Sequence, residues 1–263
     1  TTNFGYTYAR RKDREEAFAR NGKGQTSLYV VDNGSQVFVD PYNLQAKRDF
    51  YQMVTEVMRR RPDGVLFDYV RYPRQAGKDS IASRVTDLWL YSKSTQQALF
   101  QRALNNKGLG LIRLFLSKGY VTSSDIARLD EQYPQEGEPL WQGRTPPIEQ
   151  KALSSPQERQ PLLQSELWQL SVAHAMQGIL DFVALAAYPA QQIGVPAGVV
   201  FFPGGNKTVG KGYDSRLQPW DRFPNSLELH PMAYGKCGTS KCIVSQVKRV
   251  INTARPGTQV IPA

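Results

Sequence analysis

Residues 64–74, Gly-Val-Leu-Phe-Asp-Tyr-Val-Arg-Tyr-Pro-Arg, limit what this chain can fold into more than any other segment. Val65, Leu66 and Phe67 form an apolar run without polar alternation, the pattern of a strand covered on both faces, as in parallel sheets. The run delivers a carboxylate, Asp68, to its far end. A charge is tolerable there only if the chain emerges into a cleft or meets a counter-charge. Arg71 and Arg74 are nearby cations that could supply it. Upstream, Asp40-Pro41-Tyr42-Asn43 opens a helix that sets Phe50, Val54, Val57 and Met58 on one face. Helix and strand together read as one α/β repeat.

The same reading extends along the chain. Residues 4–9 predict a strand, and Leu28–Val31 and Gln36–Val39 flank Asp32-Asn33-Gly34-Ser35, a strong hairpin signal. Helical spacing recurs over about 80–105, where Ile81, Val85, Leu88 and Trp89 repeat, then over 108–118, 123–132 and about 165–187. Residues 133–161, rich in Pro, Gln and Glu, read as an exposed excursion. The last quarter predicts strand 198–202, a Gly-rich loop, strand 227–233, helix 243–254 and strand 258–261. Helices alternating with short apolar strands predict an α/β fold with a parallel sheet. Pro73, Pro203 and Pro231 suit loops leaving the carboxyl edge of that sheet, where barrel enzymes place their chemistry.

At 263 residues, with 40% hydrophobic and 11% aromatic content, the chain has enough apolar material for a large globular core. It contains no run of 18 apolar residues, and its first residues lack a basic segment followed by an apolar one, so neither a membrane span nor a signal peptide is expected in it. The formal charge of +10, from 33 Lys and Arg against 23 Asp and Glu, favours acidic partners. Its densest clusters are Arg10-Arg11-Lys12 and Arg59-Arg60-Arg61, the second at a helix end where cations meet the macrodipole favourably. No nucleic-acid recognition motif accompanies the charge, so no nucleic-acid partner is expected. Docking to a membrane or envelope assembly through the basic surface is a further reading of it.

Cys237 and Cys242, the only cysteines, share one short loop. They read as a disulfide in an oxidising, extracytoplasmic compartment, with two reduced thiols as the alternative. Together with only His174 and His230 they do not make a structural zinc site, and no metal or cofactor is expected.

Three constellations could hold chemistry. Asp68, with Tyr69, Arg71 and Tyr72, is either a nucleophile, base or charge stabiliser beside a sugar ring or a structural aspartate paired with Arg71. Asp40 is either a helix cap, a role open to Asn43 as well, or part of the same cleft, because it ends a strand-like segment. In Glu228-Leu-His230-Pro-Met-Ala-Tyr234, alternation sets Glu228 and His230 on one strand face, and His230 is a candidate substrate hydrogen-bonder. His174 instead lies mid-helix among apolar residues as a packed core histidine. Gly205-Asn-Lys-Thr-Val-Gly210-Lys211-Gly212 almost spells a phosphate-binding loop, but Gly212 stands where Ser or Thr would bind magnesium. That loop reads better as the rim of a sugar site, with Asn206, Asp214, Trp220 and Asp221 as polar and stacking groups.

With these residues in view, the chain resembles bacterial family 10 glycosyl-hydrolase-like proteins, particularly long cyanobacterial versions. The resemblance rests on Val39-Asp40-Pro41-Tyr42-Asn43 before a helix, Asp63-Gly64 through Asp68-Tyr69-Val70-Arg71-Tyr72-Pro73, and His230-Pro231-Met232-Ala233-Tyr234, in that order. It spans most of residues 28–75 and 195–263, with a helical insertion at about 76–161. It implies a (β/α)8 TIM-like barrel, incomplete here, with 4–9, 64–70, 198–202, 227–233 and 258–261 as its third to seventh strands. It further implies a glycan or polysaccharide substrate and Asp68 as the fourth-strand nucleophile. The fifth strand ends Phe201-Phe202-Pro203-Gly204-Gly205-Asn206 with no acid at its tip, which leaves Asp214, Asp221 or Glu228 to act as the second carboxyl. The alternative without that acid is a glycan-binding or scaffold barrel.

Overall fold

The computed structural model describes residues 12–27, 37–74, 80–146 and 154–263. The expected strand at 4–9 and the Asn33-Gly34 turn lie outside them. The described residues form a mixed α/β structure with six helices, α1 (Leu44–Met58), α2 (Lys93–Phe100), α3 (Asn106–Lys118), α4 (Ser123–Gln132), α5 (Pro156–Gln191) and α6 (Ser240–Thr253). Strands β1 (Val65–Phe67), β3 (Ala197–Phe201) and β6 (Glu228–Pro231) form a parallel sheet in the order β1-β3-β6. A parallel bridge from Leu229 to Val260 adds a fourth position beside β6. Strands β2 (Ile81–Ala82), β4 (Thr208–Val209) and β5 (Gly212–Asp214) make a separate antiparallel sheet in the order β2-β5-β4. No closed barrel is present among the described residues.

Register explains how the parallel sheet is used. Phe67, Val199 and Leu229 stand side by side and are buried. On that face Phe67 meets Phe50 of α1 at 6.3 Å between ring centres, and Phe50 meets Phe182 of α5 at 5.2 Å. Leu66, Gly198 and Glu228 align on the opposite face, where Leu66 is 54% exposed. Gly198 is required there, because a Cβ on it would lie 2.7 Å from both the His230 ring and the Leu66 side chain.

Several expected elements shift for identifiable reasons. The strand expected over 64–70 closes after Phe67 because Tyr69 turns into the left-handed region (φ 55°), with Asp68 Oδ1 accepting the Tyr69 amide at 2.6 Å. The helix expected over 80–105 is instead β2, a 3-10 turn at Val85–Asp87 and the shorter α2. Pairing with β5 draws Ile81 and Ala82 out of helical conformation. The near-phosphate loop is a hairpin: Val209 pairs with Gly212 across Gly210-Lys211, and Gly210 supplies the positive φ (59°) that a two-residue turn needs.

The stretch expected as an exposed excursion is partly packed, since Trp141 is buried and bridges Ala103, while Arg144 pairs with Glu138 and Glu166 at 3.1 and 2.8 Å. Helix α5 begins at Pro156 rather than near Ser165, because Ser155 and Glu158 form a reciprocal capping box and Pro156 occupies the first turn. Ser155→Ala is expected to lower unfolding free energy by about 1 kcal/mol, read from the urea midpoint at constant slope. Helix α5 is the one described helix long and apolar enough to cross a membrane, yet 61% of its apolar window is buried inside the fold, as in a core helix.

Candidate functional site

Asp68, Phe202 and Met232 follow the last residues of β1, β3 and β6, so the parallel sheet brings three chain exits to one edge. This is the carboxyl edge, where α/β sheets hold ligands. Gln218 ties two of the exits together: its Nε2 donates to Val70 O at 3.0 Å and its Oε1 accepts the Phe202 amide at 3.1 Å. The Tyr72 amide donates to Arg216 O at 2.9 Å, which fixes the β1 exit to the loop after β5.

Asp68 is half-buried, and its carboxylate accepts only the Tyr69 amide among the described residues. It forms no ion pair with Arg71. That guanidinium is buried instead, donates to Tyr72 O at 3.0 Å and stacks over Tyr69 (4.7 Å), Phe38 (5.2 Å) and Phe202 (5.8 Å). Burial, reinforced by the nearby charge of Arg216, pulls the Arg71 pKa down to about 10, while Tyr69, Asp68 and Asp214 oppose that shift. Asp68, Arg71, Asp214 and Arg216 thus share one electrostatic neighbourhood.

Asp214 is committed. Arg216 Nε and Nη2 each donate to it at 2.7 Å, and the Arg216 amide adds a third bond at 3.1 Å. A carboxylate held by such a fork has both oxygens engaged within the protein. Glu228 is also engaged, with Oε2 3.1 Å from His230 Nε2, and it sits at the amino end of β6, away from the Asp68 edge. His230 and Glu228 do share a face, but His230 is buried against Gly198.

Other expected site residues fall elsewhere. Asp40 is 0% exposed and accepts from Ser92 Oγ (2.7 Å), Thr95 Oγ1 (2.6 Å) and the Tyr42 amide (2.8 Å), which removes it from any cleft. Asn43 caps α1. Tyr72 is buried, and Tyr234 is exposed on the 3-10 turn after β6. Trp220, expected on a sugar rim, is 1% exposed, stacks on Phe201 at 5.0 Å and donates to Pro203 O. Asn206 is held between Asp221 (2.6 Å) and Arg249 (2.7 Å). His174 is buried, stacked on Tyr42 at 4.3 Å, with Nδ1 accepting from Arg102 Nε at 2.8 Å. Burial and the Arg102 charge push its pKa down to about 3. Cys237 and Cys242 are joined at 2.08 Å.

A polar cavity of about 120 Å³ opens beside the β3 and β6 exits, lined by Phe202, Lys207, Asp214, Arg216, Met232 and Cys237 among others. Sequence reasoning singled out neither Lys207 nor Arg216. The Asp214-Ser215-Arg216 spacing was the one available signal, since it permits an ion pair at a loop end. Among the described residues no group of three or more His, Cys, Asp or Glu side chains is arranged to hold a metal ion. No family model, curated protein or solved structure matches this chain.

Proposed function

We propose that this chain forms the carboxyl-edge cleft of a glycosyl-hydrolase-like (β/α)8 barrel and holds a glycan there, with Asp68 as the carboxylate facing the sugar. Strand order supports the barrel. Residues 65–67, 197–201, 228–231 and Val260 lie side by side, parallel and in chain order. A doubly wound sheet reverses that order at its switch point, whereas a barrel wall does not.

The observation that carries the glycan role is the state of Asp68. It is a carboxylate at the tip of a parallel strand with one local hydrogen bond and no cation partner among the described residues. Such a group is open to accept from sugar hydroxyls, and the neighbouring ring of Tyr69 offers an apolar surface for a pyranose. The disulfide supports an extracytoplasmic setting.

Holding is favoured over hydrolysis because glycoside cleavage needs a second carboxyl at about 5 to 9.5 Å. Asp214 is clamped by Arg216, Asp221 accepts from Asn206 at 2.6 Å, and Glu228 lies at the opposite strand end. Hydrolysis is the second reading, favoured by the position of Asp68 at a strand tip.

A polysaccharide panel tests both, read by retardation in affinity gels and by release of reducing ends. Retardation by at least one glycan without release is expected, weakened roughly tenfold in Asp68→Ala at an unchanged unfolding midpoint. Release abolished in Asp68→Asn would replace holding with hydrolysis. Unaltered retardation in Asp68→Ala would remove Asp68 from the site.

A further inference from the structure

The cavity beside Asp214 has features that the glycan reading does not use. Arg216 is buried, and its Nε and Nη2 are taken by Asp214, which leaves Nη1 without a partner among the described residues. Lys207, exposed at the rim, likewise has no partner for its ammonium among them. The two side chains converge: a methyl group added to Gly204 would lie 3.7 Å from Lys207 Cδ and 3.9 Å from Arg216 Nη2. Lys207 and the Asp214-bound Nη2 of Arg216 therefore flank the same side of Gly204, at the rim of the cavity. The lining also includes the apolar groups of Phe202, Met232 and the disulfide at Cys237.

We infer that this cavity binds a carboxylate, held between Lys207 and the open edge of the Arg216 guanidinium. Resting on the glycan reading above, that carboxylate belongs to a uronic acid residue of an acidic glycan. The net charge of the cavity favours a monoanion. Two cations and the Asp214 anion leave one net positive charge, which balances a carboxylate monoanion and falls short of a phosphate dianion. Asp214 also orients the guanidinium, so the open nitrogen is fixed before ligand arrives and little ordering is lost on binding. The volume of about 120 Å³ is several times what one water requires, and the apolar lining groups suit the C–H face of a sugar ring. Phe202 links the cavity to the Asp68 side of the edge, since its ring lies under both Arg216 (4.4 Å) and Arg71 (5.8 Å).

Calorimetric titration of the full chain with oligomers of galacturonate, glucuronate and mannuronate, their methyl esters, malonate and inorganic phosphate tests this. An acidic oligomer is expected to bind about tenfold more tightly than its neutral ester, and Lys207→Ala is expected to remove most of that difference while leaving the ester unaffected. Lys207 is exposed, so its replacement leaves the fold intact, and Lys248→Ala, outside the cavity, controls for net charge. Equal binding of acid and ester would overturn the inference while the glycan reading survives. Tighter binding of phosphate than of every carboxylate, no binding of any carboxylate, or indifference to Lys207→Ala would overturn it as well. Malonate bound and lost in Lys207→Ala, with no oligomer bound more tightly, would keep the carboxylate cavity and remove the glycan.

Discussion

Replacing Asp40 by alanine is expected to lower the unfolding free energy by about 3 kcal/mol or more, the signature of a structural weld rather than a ligand contact. The carboxylate lies wholly inside the fold and gathers hydrogen bonds from three directions. Ser92 and Thr95 bring the start of α2 to it, and the Tyr42 amide brings the turn before α1. In Asp40→Ala the Ser92 and Thr95 hydroxyls, both buried, lose their acceptor, and each stranded polar group costs about 1 to 3 kcal/mol. Urea unfolding at neutral pH reads the loss, with Asp40→Asn retaining part of the stability because one acceptor oxygen remains. A midpoint in Asp40→Ala equal to wild type would return Asp40 to the cleft.

The same residue carries a pH signature. Burial raises the Asp40 pKa above the ordinary carboxylate value, against the opposing hydrogen bonds from Ser92 and Thr95. Between the unfolded and folded values the native state binds more protons, so this contribution is complete below the unfolded pKa and is lost as pH rises through the folded one. The difference between wild type and Asp40→Asn isolates it from Asp125 and Asp130. Hydrogen bonds to Lys118 and to Arg159 and Lys107, respectively, overcome burial there and hold those two carboxyls below their ordinary range.

Arg216→Ala is expected to cost about 3 to 5 kcal/mol, because it strands the buried Asp214 carboxylate and strips the guanidinium from the Phe202 ring. The double replacement Asp214→Asn with Arg216→Ala is expected to restore more than half of that loss, since no charge is then left unpaired. Thermal and urea unfolding of the two single variants and the double variant give the coupling directly. Additive single losses would mean that the pair acts as two independent surface charges.

Local pattern was enough for helices α1, α3 and α4, whose caps are short-range side-chain bonds from Asn43, Asn105 and Thr122. It also located the four parallel strand positions, from short segments rich in Val, Leu, Ile and Phe that lead into proline-containing turns. It failed where long-range pairing competes with helical spacing, as at Ile81, which β5 claims as a strand residue. It failed again where residue type hides burial. Trp220, Tyr72 and Asp40 look equally fit for a cleft and for a core, and only packing assigns them to the core.

The sequence by itself determined that a carboxylate, Asp68, ends an apolar strand in an α/β setting, and that two cysteines lie close enough to join. Only the tertiary structure decided which acids are free. Asp214 and Glu228 resemble Asp68 in composition, but each has a cationic or imidazole partner within 3.1 Å, whereas Asp68 has none among the described residues. The physical reason is that a carboxylate's availability depends on the donors that the fold brings to its oxygens. Some of those donors, such as Ser92 and Thr95 at Asp40, come from residues more than fifty positions away.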